Sequence, residues 1–273
     1  MNILVTGATG TVGRHVVQQL IDKGLSVRAV SRNPKNAQLP HRAEVVYGDL
    51  MHPETMRQPL HNIDAMYLIL SSDVAGADLE TDAQVITLAE EAGVKHVSLL
   101  TVYGDGVVEQ ALRNSTMTST FVQPVGFMAN CLDDWQDIIR KGEVIEELGG
   151  HIKTAIIHEG DIGAVVAETL VNEDHYGQFY TLTGPELRSK KECVDMISHV
   201  LGTSISFKEL SLDEAKKRWK DAGYDDESIQ FFVQMGTQPP EIGTTLLPTV
   251  EKVLKRPPKR FSQWVNENKN QFR

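Results

Sequence analysis

The stretch that most constrains this chain is "GATGTVG", Gly7 to Gly13, inside the opening "MNILVTGATGTVGRHVV". Its three glycines recur every third residue. They follow an apolar run and precede "TVGRHVVQQLIDKG", whose apolar residues repeat with helical spacing up to Gly24. The least demanding reading is a tight turn from strand to helix. A stronger reading applies if the turn must lie against a pyrophosphate. Gly7 then supplies backbone angles closed to other residues, Gly10 lets the backbone approach a phosphate, and Gly13 lets helix and strand pack closely. The start of the helix adds free N–H groups and a partial positive charge.

The segments downstream of the loop decide between the two readings. "SVRAVSR", "EVVYGD", "DAMYLILSS", "HVSLLTVYG" and "TSTFVQPVGF" read as further strands, and "DLETDAQVITLAEEAG" and "EQALRNS" as helices between them. Such alternation implies right-handed βαβ units and an α/β fold with a doubly wound parallel sheet (Rossmann). Beyond it, "GDIGAVVAETLVN" predicts a helix capped by Asp161, "GQFYTLTG" a strand, residues 189–201 a helix and "SISFKEL" a strand, before helix-rich sequence to the end. We therefore expect a dinucleotide-binding domain over residues 1–125, completed by residues 152–183. A smaller helix-rich part, residues 126–151 and 184–273, would cover the substrate. "QPPEIGTTLLP" is the one linker-like segment.

Composition narrows the partners. With 27 basic and 37 acidic residues the net charge is -10, which disfavours nucleic acid and anionic membranes. A small anionic ligand remains compatible, because it needs only a few local cations. The two cysteines, Cys131 and Cys193, form no CxxC, and the chain enters a strand almost at once, so a cytoplasmic location is expected. Among nine histidines no pair has convincing ligand spacing; His151 and His158 flank a predicted strand, so no metal is expected. Cys131 is either a substrate contact or a small buried hydrophobe. Glu143, Glu146 and Glu147 read as a solvated face, and "KRPPKRF" as a docking segment. Monomer and dimer are both compatible with the sequence.

In this context the glycine turn reads as a dinucleotide loop. The residue at the end of the second strand usually selects the cofactor, an acidic one favouring NAD. Here "AVSRNPKNA" offers Arg32 and Lys35. Arg32 can stack on adenine and hold a 2′-phosphate with its planar fork, and Lys35 adds a second cation. The alternative is a solvated basic loop. NADPH is the expected cofactor. Asp49 in "YGDL" either hydrogen-bonds the adenine amino group or begins the next turn. Ser71 and Ser72 end the fourth strand, at the edge of a parallel sheet where ligands sit.

With "VTGATGTVG", "SRNPKN", "YGDL", "PVGFMANCL", "GDIGAVVAETL", "YTLTGPE" and "RPPKRFSQWVNEN", the chain resembles the NmrA-like atypical short-chain dehydrogenase/reductase family almost end to end. That group includes NADPH-dependent quinone and triphenylmethane-dye reductases and redox-sensing regulators. The resemblance implies that Gly7, Thr9, Gly10, Thr11, Val12, Arg32, Lys35, Asp49, Leu70, Ser71 and Ser72 line the cofactor. It also implies that Pro124, Phe127 and Asn130 lie near the nicotinamide and a small-molecule electron acceptor.

The tyrosine–lysine pair of ordinary short-chain reductases is missing. Tyr103 is followed four positions on by Val107, and Tyr180 by Gly184. Reducing a ketone makes a basic alkoxide that needs a placed acid. Reducing a quinone or a cationic dye makes a delocalised or neutral product, for which proximity and orientation suffice. Tyr103 is the candidate catalytic side chain, as a stacking surface or weak donor, or else a packing residue at a strand end. The expected function is NADPH-dependent hydride transfer to a quinone-like or other conjugated electrophile. A non-catalytic NADP sensor and a specialised-metabolite reductase of isoflavone-reductase type are the alternatives.

Overall fold

The computed structural model describes residues 1–70, 81–101 and 105–273. The first half alternates strand and helix: β1 (Asn2–Val5), α1 (Gly13–Asp22), β2 (Ser26–Ser31), β3 (Glu44–Tyr47), β4 (Ala65–Ile69), α2 (Gln84–Glu91), β5 (His96–Leu100), α3 (Val107–Asn114) and β6 (Thr118–Pro124). The middle of the chain gives α4 (Asn130–Lys141), β7 (Ile145–Glu147), β8 (Lys153–Thr154), α5 (Glu159–Val171), β9 (Phe179–Leu182), β10 (Arg188–Ser189) and α6 (Lys190–Leu201). The remainder gives β11 (Phe207–Glu209), α7 (Leu212–Asp221), α8 (Asp226–Thr237), α9 (Thr249–Leu254) and α10 (Phe261–Asn268).

The chain divides into two compact units. The first holds residues 1–124, 159–182 and 249–255; the second holds residues 125–158, 183–248 and 256–273. Among the described residues, the first unit carries a seven-stranded sheet in the order β3-β2-β1-β4-β5-β6-β9. Every pairing in it is parallel. This is the doubly wound α/β architecture expected from the sequence. The order reverses beside β1, so the ends of β1 and β4 part there and leave room for a ligand.

Alternation along the strands sets the two faces. Leu4, Met66, Leu68, Val97 and Leu99 point into one apolar layer with Val85, Leu88 and Leu112 of α2 and α3. On the other face Ser98 lies 2.8 Å from Thr169 of α5, oxygen to oxygen. Helix α5 is buried over most of its length and packs on α1. It begins at Glu159, ahead of Asp161, so Asp161 lies inside the helix and does not cap it. Asp161 is instead fully buried in the first turn, the end of a helix at which acidic residues are favoured.

The second unit has its own apolar core of Trp135, Ile145, Val194, Ile197, Phe261 and Trp264. Cys131 and Cys193 are buried in it as small apolar side chains. The expectation of a solvated face at Glu143, Glu146 and Glu147 holds only for Glu143, which is exposed. Glu146 and Glu147 lie in β7, which pairs with β11. There Glu147 accepts from Trp135 Nε1 at 2.9 Å and from Lys190 Nζ at 2.5 Å. The expected linker is also fastened: Ala155 N donates to the Gly243 carbonyl at 2.8 Å. No helix among the described residues is long and apolar enough to cross a membrane.

Candidate functional site

The glycine loop leaves β1 through Thr6, a buried residue whose part in the site the sequence does not announce. Its hydroxyl donates to the Tyr67 carbonyl at 3.0 Å and accepts from Ile69 N at 3.1 Å. One side chain thus ties the end of β1 to the end of β4 where the sheet order reverses. Its signal in the sequence, a hydroxyl just before the first glycine, is a single residue with no periodicity to mark it.

Gly7 has φ +55°, and a Cβ there would fall 2.3 Å from Ile69 Cδ1. The backbone angle favours glycine, and any side chain there would also have to displace Ile69. Gly10 N donates back to the Gly7 carbonyl at 2.9 Å, which closes the turn. A Cβ on Gly13 would stand 2.1 Å from that same carbonyl oxygen, so Gly13 is small because the loop folds onto itself. The expected reason, close packing of helix on strand, is replaced by this one. A Cβ on Gly10 would meet only the Gly7 carbonyl, at 3.1 Å. Its other side is open. Helix α1 then begins with Val12 at the N-cap position, no side-chain cap and no acidic residue in the first turn. Its N-terminal field is left for an external anion.

A cleft of about 220 Å³ opens above this loop, lined by Gly7, Thr9, Gly10, Arg32, Asp49 and Ile69 among others. It brings together residues from the ends of β1, β2, β3 and β4. Thr9 and Arg32 are exposed, Thr11 is half-buried and Val12 is buried. Asp49 Oδ1 accepts from Met51 N at 3.0 Å, so the residue begins a turn, and it also lines the cleft. Leu70 is half-buried just after β4, packed against the apolar layer. Ser71, Ser72 and Tyr103 lie outside the described residues.

A second cavity, about 300 Å³, shares Thr9 and Ser31 with the cleft and is otherwise lined by Arg14, Asn33, Asn36, Ala37 and Gln38. Sequence reasoning did not single out Arg14. Lys35 sits exposed on the short 3-10 turn Pro34–Asn36 and lines neither cavity.

Of the expected substrate-side residues, Pro124 ends β6 opposite Leu182 of β9, in the first unit. Phe127 and Asn130 belong to the second unit. Phe127 is half-buried and bridges to Ile157, and Asn130 is the exposed first residue of α4. Backbone bonds from Ile157 N to the Gly126 carbonyl (2.9 Å) and from Met128 N to the Ile157 carbonyl (2.8 Å) hold that segment in shape.

The donor set fits a dinucleotide. It offers a glycine turn with an open backbone face, an uncapped helix start, and a cleft reaching the end of β2 with a guanidinium at its mouth. Comparison with known proteins agrees. A family model described as NAD(P)H-binding matches residues 7–173. A (4-alkanoyl-5-oxo-2,5-dihydrofuran-3-yl)methyl phosphate reductase of Streptomyces griseus subsp. griseus is 32% identical, over 99% of this chain and 99% of its own. An NAD(P)H azoreductase of Xenophilus azovorans is 30% identical with the same coverage of both chains. In three dimensions the chain is similar to an NADPH-dependent quinone oxidoreductase from Escherichia coli complexed with NADPH. There the TM-score is 0.78 at 21% identity, covering 98% of this chain and 99% of that one, a likeness of fold.

Proposed function

The chain belongs to the NAD(P)H-binding family, among the NmrA-like atypical short-chain dehydrogenases/reductases, and from that membership we propose that it is a cytoplasmic NADPH-dependent reductase of conjugated electrophiles. The observation that carries the proposal is the glycine loop, whose open Gly10 face and uncapped helix start meet a cleft with Arg32 at its rim. A bound reduced nicotinamide dinucleotide supplies the hydride. The chain's own residues do the rest. Gly7, Gly10 and the start of α1 would cradle the pyrophosphate, Asp49 and Arg32 would hold the adenosine end, and Pro124, which ends β6, would lie on the acceptor side.

The acceptor class is set by what the chain lacks. No tyrosine is followed by lysine four residues on, so no such pair supplies a proton to a nascent alkoxide. Acceptors that delocalise the incoming charge avoid that demand. The acceptors in the relatives' names, an acylated dihydrofuranone phosphate and an azo compound, are of this kind, as are quinones.

The test is NADPH consumption, followed by absorbance, against a panel of quinones, azo dyes and acylated unsaturated lactones. Turnover above background with at least one class is expected. No consumption across the panel would overturn the enzymatic reading.

A further inference from the structure

We infer that the buried carboxylate of Glu109, on α3, is a positioning residue for the reaction. It fixes the carboxyl end of β5 on the acceptor side, and so governs turnover of the acceptor without touching acceptor or cofactor. The inference rests on the reductase reading above and deepens it. Its first support is place. In the sheet β5 lies between β4 and β6. Ligands of such sheets sit outside the carboxyl ends of the strands, and the end of β6 is the one assigned above to the acceptor side. Thr101 directly follows β5 and is 3% exposed, and its N donates to the Val122 carbonyl of β6 at 2.9 Å.

The second support is the bonding of the carboxylate. Glu109 is 2% exposed, and both of its oxygens accept. Oε1 takes the Thr101 hydroxyl at 2.5 Å, and Oε2 takes Gly106 N, at the N-cap position of α3, at 3.2 Å. A helix start needs only the second of these bonds. The first leaves the helix for the end of a strand. Burying a carboxylate is costly even when hydrogen bonds compensate it, and an apolar side chain would pack here without that cost. What the carboxylate adds is direction: its two bonds fix the end of β5 and the start of α3 relative to each other.

The third support is the seating of α3. Val108 and Leu112 are buried in the apolar layer against the sheet, and the Arg113 guanidinium lies 4.4 Å from the centroid of the Phe121 ring of β6. The same helix holds Asp105: Gln110 Nε2 donates to its carbonyl at 3.1 Å, and Arg113 pairs with its carboxylate. Glu109 thus passes the position of a packed helix to a strand end. It lines neither of the two cavities beside the glycine loop, so its effect on turnover should separate from cofactor binding.

The test measures kcat and KM for a quinone that the unmodified protein turns over, with NADPH affinity titrated separately, on the full chain and three variants. Glu109→Ala removes both acceptors. Its kcat/KM for the quinone should fall roughly ten- to hundredfold, the effect of a misplaced group, while the NADPH Kd moves less than about twofold. Retained NADPH binding also reports that the variant is folded. Glu109→Gln keeps a carbonyl for Gly106 N, and its NH2 can donate to the Thr101 oxygen, so it should recover kcat/KM to within about threefold of the unmodified protein. Thr101→Val breaks the same link from the strand side and keeps the test open if Glu109→Ala does not fold. It should lower kcat/KM and spare the NADPH Kd. Unchanged kcat/KM in Glu109→Ala or Thr101→Val, or a parallel loss of NADPH affinity, reduces Glu109 to a helix cap and overturns the inference while the reductase reading stands. No turnover by the unmodified protein with any quinone, azo dye or unsaturated lactone overturns the reductase reading itself, and the inference with it.

Discussion

Gly10 and Gly13 look alike in the sequence and do different work. At Gly13 an added methyl would sit 2.1 Å from the Gly7 carbonyl oxygen, inside the loop's own backbone. At Gly10 it would meet one atom at 3.1 Å and otherwise point outward. Gly13→Ala is therefore expected to lower stability by about 1–3 kcal/mol, as overpacking does, and to lose NADPH binding with it. Gly10→Ala should lower the denaturation midpoint less, because the Gly7 carbonyl need give only slightly, and should still weaken NADPH by holding the pyrophosphate off the backbone. Urea unfolding and cofactor titration on both variants check this. Equal loss of stability in the two would show that the roles are not separated. Thr6 belongs to the same scale: its two hydrogen bonds fix the strand ends between which the loop emerges.

At the level of elements, the loop is only as well placed as the helix it opens. Helix α1 packs on α5 at Gly163, where a Cβ would lie 2.6 Å from His15 Cβ and 3.1 Å from Val16 N. The ion pair from Lys23 Nζ to Glu168 Oε2, 2.8 Å, fastens the far end of the same contact. Gly163→Val should force the helices apart, at a cost of about 1–3 kcal/mol. Because α1 carries the loop, NADPH affinity should fall as well, although Gly163 lies in neither cavity. A normal unfolding midpoint with normal cofactor affinity would show that the α1–α5 contact yields easily. The glycine in "GDIGAVVAETL" is thus a helix-crossing residue, which its neighbours in sequence do not announce.

For the molecule as a whole, acid stability should carry the mark of one buried histidine. His96 starts β5, is 1% exposed, stacks on Tyr176 with ring centroids 3.8 Å apart, and has Nδ1 2.9 Å from Thr118 Oγ1. Burial, the largest cause, holds its pKa down to about 4. The unfolded chain takes up this proton near pH 6.5, so between about pH 6.5 and 4 it binds more protons than the folded one. Stability should accordingly fall as pH drops through that window, by up to about 1.4 kcal/mol per pH unit from this group. His96→Phe keeps the ring stack and removes the titration. Urea midpoints measured from pH 7 to 4.5 should fall less steeply in the variant, and parallel profiles would remove His96 from the account.

The sequence by itself determined the fold class, the place of the nucleotide loop and the general chemistry. Each is written in local pattern: strands alternating with helices, three glycines three residues apart, a basic residue just after β2, and no lysine four residues after any tyrosine. Such signals survive without coordinates because they depend on backbone angles and on periodicity along the chain. What only the tertiary structure decided are the contacts between segments distant in sequence. Asp161 reads as a cap until the start of α5 at Glu159 places it inside the helix. Glu147 reads as solvated until Trp135 and Lys190 arrive from α4 and α6. Arg14 reads as one more exposed helix residue until β2 and the turn after it build a cavity against it. A side chain's partner is set by which surfaces the fold brings together, and no spacing along the chain encodes that.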